Sequence, residues 1–421
     1  MANDAQAPMV ITNARLIDGT GAHPVEKATV VVQGNAVAAA GPSGHVQAPA
    51  GAQTIDARGM TLMPGLIDAH LHLFGIRNYE FFGWATEPPT MHAIRSVYEV
   101  RRLLEAGFTT ICDLGSDNAL FIKRAIEEGS IVGPRIRGVG RFMCQTGGIP
   151  DLPFLPIELM EGREGRGFCR LTDGVGECLK VAREQLRAGA TELKIGTTGG
   201  IDPSFIVAES AFTLEEIQAI ASVAHNVGKK LRAHNNVLMG ERPVGIQKAV
   251  AGGCDAIEHG YWIDDATLEQ MKAKDVTWVV TLGYLQRAVD HGKDMNLHPV
   301  YVDKCARAIA SIADTMPRAK KIGVKRAAGS DFLGTPADPH GEEGLELEMQ
   351  VKCGLTPMEA IVTVTKLNAE FFGLNTGTVE KGKLADLILV DGDPLKDIKI
   401  FQDVQRIKMV MLEGQIKARR G

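Results

Sequence analysis

Two histidines one residue apart, His70 and His72, end the apolar run MPGLIDA. In an extended strand side chains repeat every second residue, so both imidazoles leave the same side of the backbone and can ligate one metal ion. Neutral imidazole is the commonest protein metal ligand. An H-x-H pair by itself is a weak signal, and its weight comes from where the other reactive side chains fall. His234 ends the run LRAHN, His259 ends AIEHG, Asp331 ends AAGSD, and Lys194 lies near the end of ELKIG. Three more residues are candidate substrate contacts. Arg141 closes RIRGVGR and can meet a substrate carboxylate or an acidic neighbour, Tyr261 follows His259 by two, and His340 sits in DPHGEE.

These positions acquire meaning from the elements that carry them. Eight short β-like runs, GLIDAHLH, TTICDLG, RIRGVG, TELKIG, KLRAHN, DAIEHG, TWVVTLG and KRAAGSD, alternate with longer amphipathic segments near 91–106, 117–129, 173–188, 213–227, 264–274 and 302–322. Alternation of this kind marks repeated βα units and a parallel sheet, and eight units close a (β/α)8 TIM barrel. In a barrel the carboxyl ends of all strands share one face, where catalytic residues from several strands meet. Four histidines and an aspartate at that rim, with Lys194 beside them, make a chance grouping improbable and mark one candidate metal site of His70, His72, His234, His259 and Asp331.

Both chain ends read differently. Residues 9–62 alternate short β-type runs with turns, including Gly34-Asn35 at a hairpin position, and β character returns in KLADLILVDGDPLKDI and IKMVMLEGQIKA. The expected organisation is a small β-sandwich built from residues 1–62 and 371–421 around a catalytic barrel of 63–370. The segment 142–170, rich in Gly and Pro, matches neither pattern and is read as a lid over the site.

The composition is that of an ordinary packed protein. The 421 residues carry 46 Lys plus Arg against 51 Asp plus Glu, a formal net charge of −5, with 45% apolar and 23% charged residues. Disorder and collagen-like repeats are excluded by these proportions. No basic block interleaved with aromatics is present, so no nucleic-acid partner is expected. The seven cysteines show no C-x-x-C and read as reduced core residues. No apolar run is long enough to span a membrane, and the opening MANDAQAPMV lacks the regions of a secretory signal, so no membrane association and a cytoplasmic location are expected.

PGLIDAHLH, the lysine of ELKIG, AIEHG, GSD and the tail GLTPMEAIVTVTKLNAEFFGLNTGTVEKGKLADLILVDGDPL resemble, in that order, the amidohydrolase superfamily in its imidazolonepropionase-like, Xaa-Pro dipeptidase and ochratoxinase branch. The resemblance covers nearly the whole chain. It implies that CO2 carboxylates Lys194 to a carbamate that bridges two divalent ions, zinc being the first choice. It assigns His70, His72 and Asp331 to one ion and His234 and His259 to the other. The implied activity is hydrolysis of a C–N bond in a small amide, such as an N-acyl amino acid, a dipeptide or a xenobiotic aryl amide, by a metal-bridging hydroxide with Asp331 moving the proton. Relatives form multimers, so a homo-oligomer acting on a small molecule is expected.

Departures from the family pattern fall at the pocket rim. Asn235-Asn236 and Gly147-Gly148-Ile149 stand where members often carry His-Gly and T-G-G-H. They leave the ligands intact but weaken a dipeptide reading and favour the branch acting on amides, ureas and thiocarbamates. A mononuclear deaminase or cyclic-amide hydrolase is the alternative within enzymes, and Lys194 speaks against it. Residues 377–383, GTVEKGK, imitate a phosphate loop but continue with Leu384, which lacks the hydroxyl that would hold magnesium.

Overall fold

The computed structural model describes residues 7–78, 84, 86–161, 169–201, 210–236 and 242–420. Near the N-terminus lie β1 (Met9–Leu16), β2 (Val25–Gln33), β3 (Ala36–Pro42), β4 (Gln53–Asp56) and β5 (Thr61–Pro64). The barrel strands follow: β6 (Leu66–Leu71), β7 (Phe108–Asp113) and β8 (Arg135–Gly138), then β9 (Phe142–Cys144) and β10 (Cys169–Leu171). After these come β11 (Leu193–Gly196), β12 (Leu231–Asn235), β13 (Ala256–His259), β14 (Thr277–Thr281) and β15 (Arg326–Gly329). The chain ends with β16 (Leu387–Val390), β17 (Ile407–Leu412) and β18 (Gln415–Arg419).

All eight β-like runs expected to line the barrel are strands. β6, β7 and β8 pair in parallel, as do β11 through β15 in sequence order. Backbone hydrogen bonds complete the (β/α)8 barrel. Asp331 N donates to His70 O at 2.7 Å and His72 N to Phe332 O at 2.9 Å across the β15–β6 seam, while Thr191 N donates to Gly138 O at 2.8 Å between β8 and the approach to β11. Asn368 clamps the same seam from outside, accepting from Ala328 N and donating to Ile67 O and Ala328 O.

The intervening helices obey their sequence signals. Asp264 caps the helix Asp265–Ala273 through a 2.7 Å bond from Thr267 N, and Leu268 and Met271 are buried on its inner face. The helix Leu214–His225 begins with a full capping box of Thr213 and Glu216. Two helices, Val244–Ala251 and Gly283–His291, were absent from the sequence expectations because each is short and barely exceeds two turns.

Both chain ends share one eight-stranded sheet in the order β18-β17-β16-β5-β1-β2-β3, with β4 beside β1. Alternation along the strands gives it two apolar faces. Leu387, Leu389, Met409 and Met411 pack with Ile11, Val30 and Leu62 inside the folded sheet. Ile388, Val390 and Val410 face the barrel and join Val100, Leu103 and Leu104 of the helix Pro89–Glu105.

Segment 142–170, read from the sequence as a loop that lids the site, holds regular elements: β9, β10 and the helix Ile157–Glu161, with β9 parallel to both β10 and β11. Leu152, Leu155 and Met160 pack with Cys144, Cys169 and Leu171 in a small core of their own, and residues 162–168 lie outside the described residues. Among the described residues no helix is long and apolar enough to cross a membrane.

Candidate metal centre

Five strand ends bring the six candidate ligands to one rim. His70 and His72 come from β6 and its end, Lys194 from β11, His234 from β12, His259 from β13, and Asp331 from two residues beyond β15. His70 Nε2 stands 3.2 Å and His72 Nε2 3.3 Å from Asp331 Oδ1, and one ligand atom from each of the three lies within 4.8 Å of the others. His259 Nδ1 is 3.6 Å from Asp331 Oδ2. The rings of His70 and His259 are 4.9 Å apart and those of His234 and His259 are 4.5 Å apart.

Two of these residues reach the site by an unusual backbone. His259 and Asp331 have φ of 63° and 60°, in the left-handed region that non-glycine residues rarely enter. Successive strand residues normally face opposite ways, and the left-handed turn at His259 allows both it and Glu258 to face the interior. Such strain concentrates where surrounding structure holds a functional side chain in place. Here the indole of Trp278 donates to His259 O at 2.7 Å.

A buried ionic layer supports the rim from below. Glu258 takes His70 Nδ1 at 2.6 Å and Arg232 Nε at 2.7 Å, while Arg232 also meets Glu192 at 3.0 Å. All three charged side chains are fully buried. Burial raises a carboxyl, but the Arg232 and Lys194 charges and the His70 contact outweigh it and hold Glu258 well below the usual range. Thr281 Oγ1 meets His259 Nδ1 at 2.7 Å.

Lys194 has no such partner. Its Nζ is buried without a hydrogen bond, 5.5 Å from the Phe142 ring, and Glu192 is paired with Arg137 and Arg232 instead. Burial lowers its pKa to about 8. Burial also depresses His72, His234 and His259, which leaves their imidazoles neutral with lone pairs free to bind a cation. Nδ1 of His72 and Nε2 of His234 are buried without partners. A buried polar atom left unpaired is costly, and a bound cation would satisfy Nε2 of His234.

The three candidate substrate contacts are placed differently. Tyr261 borders a cavity beside the site. Arg141 lies 3.4 Å from Asp117, the acidic-neighbour arrangement, and borders neither cavity at the centre. His340 does not reach substrate space either. Its Nδ1 is 2.7 Å from Glu343 and its Nε2 is 3.0 Å from His72 O, so it braces the backbone of a ligand-bearing segment. Sequence reasoning overlooked Glu258, Arg232 and Thr281. Opposite charges at Glu192, Arg232 and Glu258 inside otherwise apolar strands were the available signal.

A cavity of about 170 Å³ opens over the six residues, walled by Phe74, Trp84, Phe142, Ile149, Pro150 and Leu152. Ile149, Pro150 and Leu152 of this wall belong to the segment read as a lid.

Comparison with known proteins agrees with this arrangement. Residues 61–417 match the amidohydrolase family. Ochratoxinase of Aspergillus niger is 28% identical over 99% of this chain and 88% of its own length. A crystal structure of a prolidase complexed with N-methylphosphonate-L-proline superposes with a TM-score of 0.87 at 29% identity, covering 98% of this chain and 100% of that one. A Xaa-Pro dipeptidase with methionine bound in its active site gives 0.82 at 27% identity, covering 97% and 99%. With most of its length matched and the barrel rim assembled as described, the chain belongs to the amidohydrolase family of hydrolytic enzymes.

Proposed function

We propose that this hydrolase uses two divalent metal ions to cleave the C–N bond of a small amide-type substrate. The observation that carries the reading is Lys194, a buried amine without an acceptor among four histidines and an aspartate. His70, His72 and Asp331 would hold one ion and His234 and His259 the other. An amine with a pKa near 8 is partly neutral at physiological pH, and its Nζ lone pair can attack the carbon of CO2. The N–C bond forms and the amine proton leaves to solvent, and the resulting carbamate would be an anionic oxygen ligand available to the ions. Zinc suits this donor set, and manganese, cobalt or nickel would also accept it.

When bound, the ions supply a water of strongly lowered pKa and polarise the substrate carbonyl. The chain's own groups do the rest. Glu258 accepts the Nδ1 proton of His70 and fixes the ring with Nε2 toward Asp331, and Thr281 orients His259 in the same manner. Asp331 takes the proton of the attacking water and delivers it to the departing nitrogen. Phe74, Trp84, Phe142 and Leu152 exclude bulk water from this exchange.

A mononuclear reading has one observation in its favour: among the described residues, only His70, His72 and Asp331 converge as a cluster of His, Cys, Asp or Glu ligands. Elemental analysis separates the two. About two ions per chain in the native protein, falling to one or fewer in Lys194→Met, supports the bridged centre. One ion in both proteins rejects it.

A further inference from the structure

The amino ends of the barrel strands, opposite the metal centre, surround a cavity of about 390 Å³. Lys230 precedes β12, Thr277 opens β14 and Arg326 opens β15, and all three line it. Lys320, on the last turn of the helix Pro299–Ile322, and Lys325, just before β15, line it as well. Val324 and Phe371, both buried, give it an apolar wall.

The charges around this cavity do not balance. Four cations, Lys230, Lys320, Lys325 and Arg326, line it with two acids, Asp275 and Glu370. Lys325 meets Asp275 at 2.6 Å, and Lys320 pairs with Glu359 on the helix Pro357–Val362. Glu370 is exposed and lies 3.9 Å from Lys366. Lys230 and Arg326 are left over. Lys230 Nζ stands 5.3 Å from the Phe371 ring, and Arg326 Nη1 is buried with no hydrogen-bond partner. Among the described residues neither cation forms an ion pair.

Burial lowers the Arg326 pKa, and Glu359, already paired with Lys320, opposes this only in part. A guanidinium nevertheless stays protonated in a protein, so its charge has to be met from outside the chain. A buried charge without a counter-charge is costly. A neutral ligand leaves that cost in place, and a monoanion meets one of the two unmatched charges. A dianion meets both. Oxygen acceptors suit the pair, because guanidinium and ammonium groups bind carboxylate and phosphate oxygens through short charge-assisted hydrogen bonds.

We infer that this cavity binds a small dianion with oxygen acceptors, a phosphate monoester or a dicarboxylate. Arg326 and Lys230 hold its charged oxygens, and its carbon portion lies along Val324 and Phe371. The site shares no lining residue with the cavity over the metal centre and is independent of the hydrolytic reading.

Calorimetric titration of the metal-loaded full chain with phenyl phosphate, succinate and acetate tests it, repeated after chelation to separate anions held by metal. Phenyl phosphate or succinate should bind once per chain, at least about tenfold more tightly than acetate, and the tighter of the two identifies the source. Arg326→Met and Lys230→Met should each weaken that dianion by about tenfold or more, the loss expected for one charge-assisted hydrogen bond. Lys321→Met, at an exposed neighbour that does not line the cavity, should leave the affinity as it was. No binding of either dianion, acetate bound equally well, or the same loss in all three variants overturns the assignment. Binding that disappears on chelation belongs to the metal centre and overturns it too.

Discussion

Glu258→Gln keeps a side chain's shape while removing the charge on which the layer beneath the centre depends. In the native protein the Glu258 carboxylate receives His70 Nδ1 at 2.6 Å and Arg232 Nε and Nη2 at 2.7 and 3.0 Å. A hydrogen bond to a charged group contributes about 1 kcal/mol more than a neutral one, so three of them account for roughly 3 kcal/mol. A glutamine must also point its NH2 at one of these donors, and an unpaired buried donor adds about 1 kcal/mol or more. The total, roughly 4 kcal/mol, falls in the ~3–5 kcal/mol range for breaking a buried ion pair. Loss of the carboxylate also frees the His70 ring, and changes behind a metal-ligating histidine weaken metal affinity about 10–100-fold. Urea unfolding of the apo protein measures the first effect, and competition with a chelator measures the second. A stability loss below about 1 kcal/mol, with metal affinity unchanged, would refute the supporting role of Glu258.

Three further outcomes are expected. Asp331→Asn keeps an oxygen ligand but cannot carry a proton, so kcat should fall about 10²–10⁴-fold with the metal content intact, and native turnover in steady-state assays would reject the proton-transfer role. A Cβ added at Gly329 would lie 2.1 Å from His70 N and 2.7 Å from Asp68 Oδ1. Overpacking against backbone typically costs ~1–3 kcal/mol, so Gly329→Ala should unfold at a clearly lower temperature, and an unchanged Tm would show that the seam yields more than its geometry implies. Burial raises the Glu99 carboxyl to about 7, against the opposing charges of His340 and Arg77. A raised acid binds its proton more tightly when folded, so its contribution is favourable below the ordinary carboxylate range and is lost as pH climbs toward 7. Glu99→Gln should therefore be more stable than the native protein by up to ~3 kcal/mol at pH 8 and gain nothing near pH 4. Denaturation at both pH values decides this, and a gain independent of pH rejects it.

Local pattern in the sequence determined the eight barrel strands, six of the helices between them and the rim positions of the six candidate ligands. Runs such as TTICDLG and TWVVTLG are strands because their apolar and β-branched residues suit a buried parallel sheet, and period two alone places His70 and His72 on one side. Only the tertiary structure decided how those side chains are held. The contact between His70 and Glu258 joins residues 188 positions apart, and Arg232 pairs with acids on both neighbouring strands. Period two would set Glu258 and His259 on opposite faces, and the left-handed turn at His259 that reunites them left no pattern in the sequence. Arg141 and His340, plausible substrate contacts by type, are engaged by Asp117 and Glu343 because long polar side chains take the nearest buried partner. Periodicity reports the free energy of neighbours along the chain. Charge pairing, cavity walls and strain depend on distances across it, which exist only after the barrel closes.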